Sequence, residues 1–331
     1  MAPSAQSVAQ ATGVAPLTPN FTAKDYGIFF MSGALCATVT HAGFTPVDVV
    51  KTRIQIDPAF KGQGFLTVGR GIIAAEGPAG LLTGFGPTAA GYFFQGGAKF
   101  AGYEASKKYL VEMVGSREAA VENRTAIYLG GATIAEFFAD ILLTPLEATR
   151  IRLVSNPKYA TGLVSGLTKI ASTEGIGGLY AGFIPILFKQ VPFAVGQFAV
   201  NERCTEFLYN RLDPETRKNL SATATMGITL TSGITAGVAA AILSHPADTL
   251  LSQINRGHGP KGSMLYRLGA LAKEVGFRGI WSGLGPRMAM TAGLVSSQFV
   301  IYGYIKSALG ARPGIEIHKE NSDAPEGGAV H

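Results

Sequence analysis

The sequence predicts an all-α membrane protein. Its six transmembrane helices form three pseudo-symmetric repeats around a central cavity, with a short surface helix between the two spans of each repeat. Three observations lead to that class. One pattern occurs three times, about a hundred residues apart: Pro46-Val-Asp48-Val-Val-Lys51-Thr-Arg53, Pro145-Leu-Glu147-Ala-Thr-Arg150-Ile-Arg152 and Pro246-Ala-Asp248-Thr-Leu-Leu251-Ser-Gln253. Gly84, Gly182 and Gly283, then Pro87, Pro185 and Pro286, then Tyr103, Asn201 and Tyr302 keep the same register, which marks a repeat architecture. The second observation is composition: only 15 % of residues are charged, 43 are glycine and mean hydropathy is +0.24. That balance suits packed transmembrane helices better than a soluble enzyme. The third is six apolar stretches, each near the ~20 residues that a spanning helix needs.

The elements follow in order. Residues 1–24 carry little that could bury a core and read as a disordered N-terminal segment. The repeats occupy 25–112, 124–211 and 222–310, and 311–331 reads as a polar tail, disordered from Pro313 onward. Each repeat opens with an apolar span, at 26–45, 127–144 and 228–244, and closes with a second, at 87–103, 185–200 and 286–304. Between them lie amphipathic stretches at 65–75, 163–171 and 264–273, which suit helices lying on the membrane surface. Spacings of small residues, as in Gly233-Ile-Thr-Ala-Gly237 and Gly131-Ala-Thr-Ile-Ala135, allow helix backbones to approach closely. Pro46, Pro145 and Pro246, one on each of three helices just past the opening spans, are expected to kink the spans toward a common axis.

Several function classes are disfavoured. The net charge of +6 is spread over both sides with no basic run interleaved with aromatics, so nucleic acid is not an expected partner. Basic loop residues divide about evenly between the two sides and do not orient the chain. Residues 1–23 hold no charged side chain and no long apolar core, unlike a secretory signal or an Arg-rich transit peptide, so import is expected to use internal signals. Cys36 and Cys204 fall in different spans and imply no disulfide framework. His258, His318 and His331 lack metal-ligand spacing, and no phosphate loop or Ser-His-Asp set appears. Neither an enzyme nor a bound metal or cofactor is expected.

The threefold Pro-x-Asp/Glu-x-x-Lys/Arg-x-Lys/Arg pattern, followed by Glu76-Gly77 and Glu174-Gly175, resembles the mitochondrial carrier family over about residues 25–310. Gln55 stands at that family's glutamine-brace position and Tyr103-Glu104-Ala-Ser-Lys107 at its second gate motif. Within it, 45–55 with His41 upstream, and 84–100 with Gln95 and Lys99, resemble the phosphate-carrying branch. The resemblance implies a multi-pass protein of the mitochondrial inner membrane, with cardiolipin as a candidate lipid partner. It implies that phosphate moves with a proton, or in exchange for hydroxide, by alternating access. Another small anion or a copper complex as cargo, and a receptor or scaffold that transports nothing, stay open as alternatives.

The resemblance also implies two charged gates. On the matrix side, Lys51 is expected to pair with Glu147 and Arg150 with Asp248, while Leu251 leaves Asp48 without a cation and makes it a candidate for protonation with His41. On the cytoplasmic side, Glu202 is expected to pair with Lys306. There Gly303 leaves Lys107 without its acid and Thr205 leaves Glu104 without its base.

Symmetry separates scaffold from cargo chemistry, because a scaffold residue recurs at equivalent positions and a group for a small ligand need not. His41 corresponds to Asp140 and Ala241, and Glu136 to Ala37 and Gly237. Ionisable groups inside apolar spans are costly and are functional candidates by default. Their spacing puts His41 about two turns before Asp48 and Glu136 about three turns before Glu147. Lys99 shares one level with Gln197 and Gln298, with Gln95 one turn away, and Lys189 and Gln190 stand at the family's second contact point. Lysines with amides suit an anion in a site where unpaired charge is expensive. His41, Asp48, Glu136 and Asp140 are the candidate proton carriers.

Overall fold

The computed structural model describes residues 18–56, 58–60, 63–156, 158–255, 262, 264–315 and 317. Repeat 1 holds α1 (Ala23–Gly43), α2 (Thr45–Ile56), α3 (Phe65–Glu76) and α4 (Phe85–Val114). After α5 (Arg117–Glu122), repeat 2 holds α6 (Arg124–Ser155), α7 (Leu163–Tyr180) and α8 (Phe183–Tyr209). After α9 (Pro214–Lys218), repeat 3 holds α10 (Ala222–Asn255), α11 (Met264–Ile280) and α12 (Leu284–Ala308). The three amphipathic stretches begin on the residues expected of them. The described residues contain no strand.

Local chemistry sets the ends of these elements. Thr22 caps α1 with a capping box: its hydroxyl accepts from the Asp25 amide at 3.3 Å, and its own amide donates to the Asp25 carboxylate at 2.7 Å. Gly77, Gly175 and Gly276, at equivalent places in the three repeats, all take positive φ, at 76°, 71° and 66°, and turn each surface helix at the same place. Pro46 follows a break at Phe44, where α1 and α2 meet at 55°. Pro145 and Pro246 instead sit inside unbroken helices.

The long helices form a closed ring, α1, α4, α6, α8, α10 and α12, with α12 returning to α1. Gly233 and Gly237 explain one close seam: a Cβ at Gly237 would lie 2.6 Å from Ala292 Cα, and one at Gly233 2.7 Å from Ser296 Cα. By length and composition α6, α8, Ala222–Leu251 and Arg287–Ala308 suit a membrane crossing, and α1 with α2 supplies a bent fifth. The 30-residue α4 is long enough, and its Lys99, Glu104 and Lys107 are buried rather than turned to lipid. Large apolar side chains such as Val39, Phe138 and Leu243 are exposed instead, an outer surface that suits a hydrocarbon solvent.

Inside the ring, aromatic side chains from α4, α8 and α12 fill the end near Tyr103. Tyr103 stacks on Phe198 at 4.3 Å and Phe100 on Tyr302 at 4.4 Å, with Phe299 against both Phe100 and Phe198. At the octapeptide end a cavity of about 520 Å³ lies between repeats 1 and 3, lined by Lys51, His245, Asp248, Gln253, Arg287 and Met290 among others.

The tail departs from expectation. Residues 1–17 and 318–331 lie outside the described residues, but Ile315 and Ile317 are buried and pack with Val111, Ile127 and Tyr128. Disorder from Pro313 onward is therefore corrected for these positions. Two isoleucines in an otherwise polar segment supply enough apolar surface to dock it.

Candidate functional site

A continuous polar belt crosses the apolar interior. Lys99 Nζ lies 3.3 Å from Glu136 Oε2, and Gln95 donates to Glu136 Oε1 at 2.6 Å. On its other side Lys99 donates to Gln197 Oε1 at 3.4 Å, Gln197 to Gln298 Oε1 at 2.9 Å, and Gln298 to the Thr40 hydroxyl at 3.3 Å. The belt joins α4, α6, α8, α12 and α1, so all three repeats contribute. Every member is buried and Glu136 is 0 % exposed. The shared level of Lys99, Gln197 and Gln298 follows from their equivalent places in three equivalent helices.

Asp140 lies one turn from Glu136 on α6. It is fully buried, and neither carboxylate oxygen has a hydrogen-bond partner among the described residues. His41 stacks face to face on Tyr92, with ring centroids 3.5 Å apart and planes within 1°. Lys189 is half-buried and Gln190 buried on α8. They precede Gln197 by roughly 12 Å of helix rise, and among the described residues neither hydrogen-bonds to the belt.

At the octapeptide end the charged ring runs in the opposite sense to the one expected. Neither Lys51 with Glu147 nor Arg150 with Asp248 is paired. Arg150 instead reaches Asp48 at 3.5 Å, so the acid of repeat 1 takes the base of repeat 2, and its other nitrogen holds Glu147 at 2.8 Å. Asp48 therefore has a cation, which removes the reason for reading it as a proton carrier. Carried around the ring, this sense sets Glu147 against Leu251 and Asp248 against Lys51. Asp248 and Lys51 line the same cavity, but Asp248 pairs with Arg287, whose second nitrogen donates to Ser244 Oγ at 2.9 Å.

At the other end Lys107 is not left without an acid. It lies 3.0 Å from Glu104 and 2.9 Å from Glu202. The Lys306 ammonium stands over Phe29 and Tyr302, 5.4 and 5.9 Å from the ring centroids.

Outside the belt, charged pairs tie the octapeptide helices to the surface helices. Arg53 holds Glu76 at 3.0 Å and Arg152 holds Glu174 through two nitrogens, one at 2.7 Å. In repeat 3 both partners change together, to Gln253 and Val275.

Sequence reasoning passed over Thr40 and Arg287. The asymmetry test finds both: Thr40 corresponds to Ala139 and Ala240, and Arg287 to Thr88 and Ile186. Arg287 was absorbed into the start of a closing apolar span, and Thr40 is uncharged.

Comparison with known proteins places this geometry in a family. The family described as mitochondrial carrier protein matches residues 24–114, 122–212 and 222–312. The chain is 42 % identical to the mitochondrial substrate carrier family protein N of Dictyostelium discoideum, over 90 % of this chain and 98 % of that one. It is 38 % identical to a mitochondrial phosphate carrier protein of Caenorhabditis elegans, over 86 % and 82 % of the two chains. It is 36 % identical to solute carrier family 25 member 3 of Homo sapiens, over 85 % and 77 %. The chain belongs to the mitochondrial carrier family, multi-pass proteins of the mitochondrial inner membrane.

Proposed function

We propose that this protein carries inorganic phosphate across the inner membrane together with a proton, by alternating access. The observation that carries the reading is the buried Lys99–Glu136 pair, 3.3 Å apart, with Gln95 and Gln197 completing the lysine's surroundings. Relatives named as phosphate carriers support the cargo.

The coupling follows from charge. Lys99 is already neutralised by Glu136. A phosphate arriving at Lys99 would place a second anion beside that carboxylate, and two unit charges about 4 Å apart repel by ~4 kcal/mol at an effective dielectric of 20. A proton on Glu136 removes that repulsion and frees Lys99 for the phosphate oxygens. Gln95 and Gln197 supply amide groups that can turn from Glu136 and Gln298 to the ligand. Asp140, one turn away with both oxygens unpartnered, suits the neutral acid; it gives its proton up first and then, as the carboxylate, takes the one that Glu136 releases. His41, held flat against Tyr92, lies on α1 toward the octapeptide end and passes the proton on from there. Lys189 and Gln190, nearer the octapeptide end of the same helix as Gln197, receive phosphate as it leaves Lys99.

The two ends act as gates. Asp48, Arg150 and Glu147, with Lys51, Asp248 and Arg287, close the matrix side, and Glu104, Lys107, Glu202 and Lys306 with the aromatic layer close the cytoplasmic side. Labelled phosphate uptake into liposomes under an imposed pH gradient tests the whole reading. Uptake indifferent to the gradient removes the proton from it, and no uptake removes the phosphate.

A further inference from the structure

The segment at 311–315 and 317 is built into the cytoplasmic-side gate. The Ile315 amide donates to Glu104 Oε2 at 2.9 Å, and Lys107 Nζ donates to the Ile315 carbonyl at 2.9 Å. Tyr128 donates to the Ile317 carbonyl at 3.4 Å. Arg312 donates to the Asn20 carbonyl at 3.1 Å and lies 4.0 Å from Asp25 at the start of α1. Ile315 and Ile317 are 4 % and 5 % exposed, packed with Val111, Ala120, Ile127, Tyr128 and Ala199. Leaving the last helix of repeat 3, the segment thus touches α1 and α4 of repeat 1 and α6 and α8 of repeat 2.

Its partners Glu104 and Lys107, which pair with each other, stand in a ring that lacks one acid and one base. Repeat 3 has Gly303 where Glu104 and Glu202 supply acids, and repeat 2 has Thr205 where Lys107 and Lys306 supply bases. One residue, Ile315, meets both partners, its N–H to the acid and its C=O to the base. Gly314 allows the approach, since a Cβ there would lie 2.6 Å from Glu104 Oε1.

We propose that residues 311–315 and 317 are a releasable latch. Docked, they hold the Glu104 mouth shut by completing its charge network; lifted, they let that mouth open. The proposal rests on the carrier reading for the meaning of opening, but the latch itself is a contact between a chain end and a gate.

The test reads access to Cys36, which is 0 % exposed within the aromatic core beneath this mouth. Cys204, the other cysteine, is removed as Cys204→Ser. The protein is placed in lipid nanodiscs, and the rate of Cys36 labelling by a charged thiol reagent is compared with that of Gly314→Val and of Ile315→Asp/Ile317→Asp. Loss of one charge-assisted hydrogen bond is enough to raise the open population, and with it the labelling rate, roughly tenfold. Equal rates in parent and variants overturn the latch. Variants that lose cooperative melting overturn it too, because the segment is then a fixed brace of the fold. No phosphate enters this assay, so a failed latch leaves the transport reading standing and a failed transport reading leaves the latch measurable.

Discussion

Asp48 of repeat 1 and Arg150 of repeat 2 form an ion pair at 3.5 Å, and this contact fixes the direction of the charged ring. The same direction sets Glu147 against position 251, where a leucine stands. Leu251→Lys should therefore couple to Glu147 and not to Asp48. In double-mutant cycles read by thermal unfolding, Leu251→Lys with Glu147→Gln should show a coupling of about 0.5 kcal/mol or more, and with Asp48→Asn none. Coupling to Asp48 alone would restore the opposite sense.

Arg287 occupies the acid that ring symmetry assigns to Lys51. In the parent, Lys51→Ala should change stability by a few tenths of a kcal/mol at most, as for a solvent-exposed side chain. In an Arg287→Ala background the same change should cost more, about 0.2–1 kcal/mol, because Asp248 then turns to Lys51. Equal effects in the two backgrounds would show that the two cations do not compete for Asp248.

How much of this was legible in the sequence depends on the kind of relation. The common level of Lys99, Gln197 and Gln298 follows from translation along equivalent helices, and the shared face of Gln95 and Lys99 from one helical turn, both of which residue spacing encodes. The sense of the ring does not follow, because spacing carries no handedness and Lys51 with Glu147 or Arg150 with Asp48 satisfies the same pattern. The docked tail was hidden for another reason: Ile315 and Ile317 are two apolar residues in a polar segment, and their partners Glu104 and Lys107 lie about 210 residues away in the chain.

The Arg152–Glu174 pair gives a pH-dependent prediction. Hydrogen bonds from the Arg152 guanidinium hold the exposed Glu174 carboxyl below its usual range. A carboxyl depressed in the folded state contributes stability above its ordinary midpoint of about 4.3, and the contribution fades as pH falls through the lower folded value. In Arg152→Ala the Glu174 midpoint should rise to the ordinary value, measured by NMR titration of labelled glutamate, with little change in stability at neutral pH. A midpoint unmoved by the substitution would mean that Arg152 is not its cause.

The α10–α12 seam predicts opposite outcomes for two glycines of one helix. Gly237→Ala places a methyl 2.6 Å from Ala292 Cα and should destabilise by about 1–3 kcal/mol. Gly227→Ala meets nothing within 4 Å and should be neutral or stabilising by up to about 1 kcal/mol. Thermal unfolding in detergent separates them, and equal melting temperatures would contradict the close approach.

The central claim is that phosphate binding at Lys99 requires a proton on Glu136, and Glu136→Gln tests it most directly. The glutamine keeps the shape and removes both the charge and the titration. In liposomes the parent should accumulate labelled phosphate in response to a pH gradient. Glu136→Gln should exchange phosphate for phosphate but lose the response to the gradient, and Lys99→Gln should lose about 10- to 100-fold of both. Gradient-driven accumulation by Glu136→Gln equal to the parent's would contradict the account.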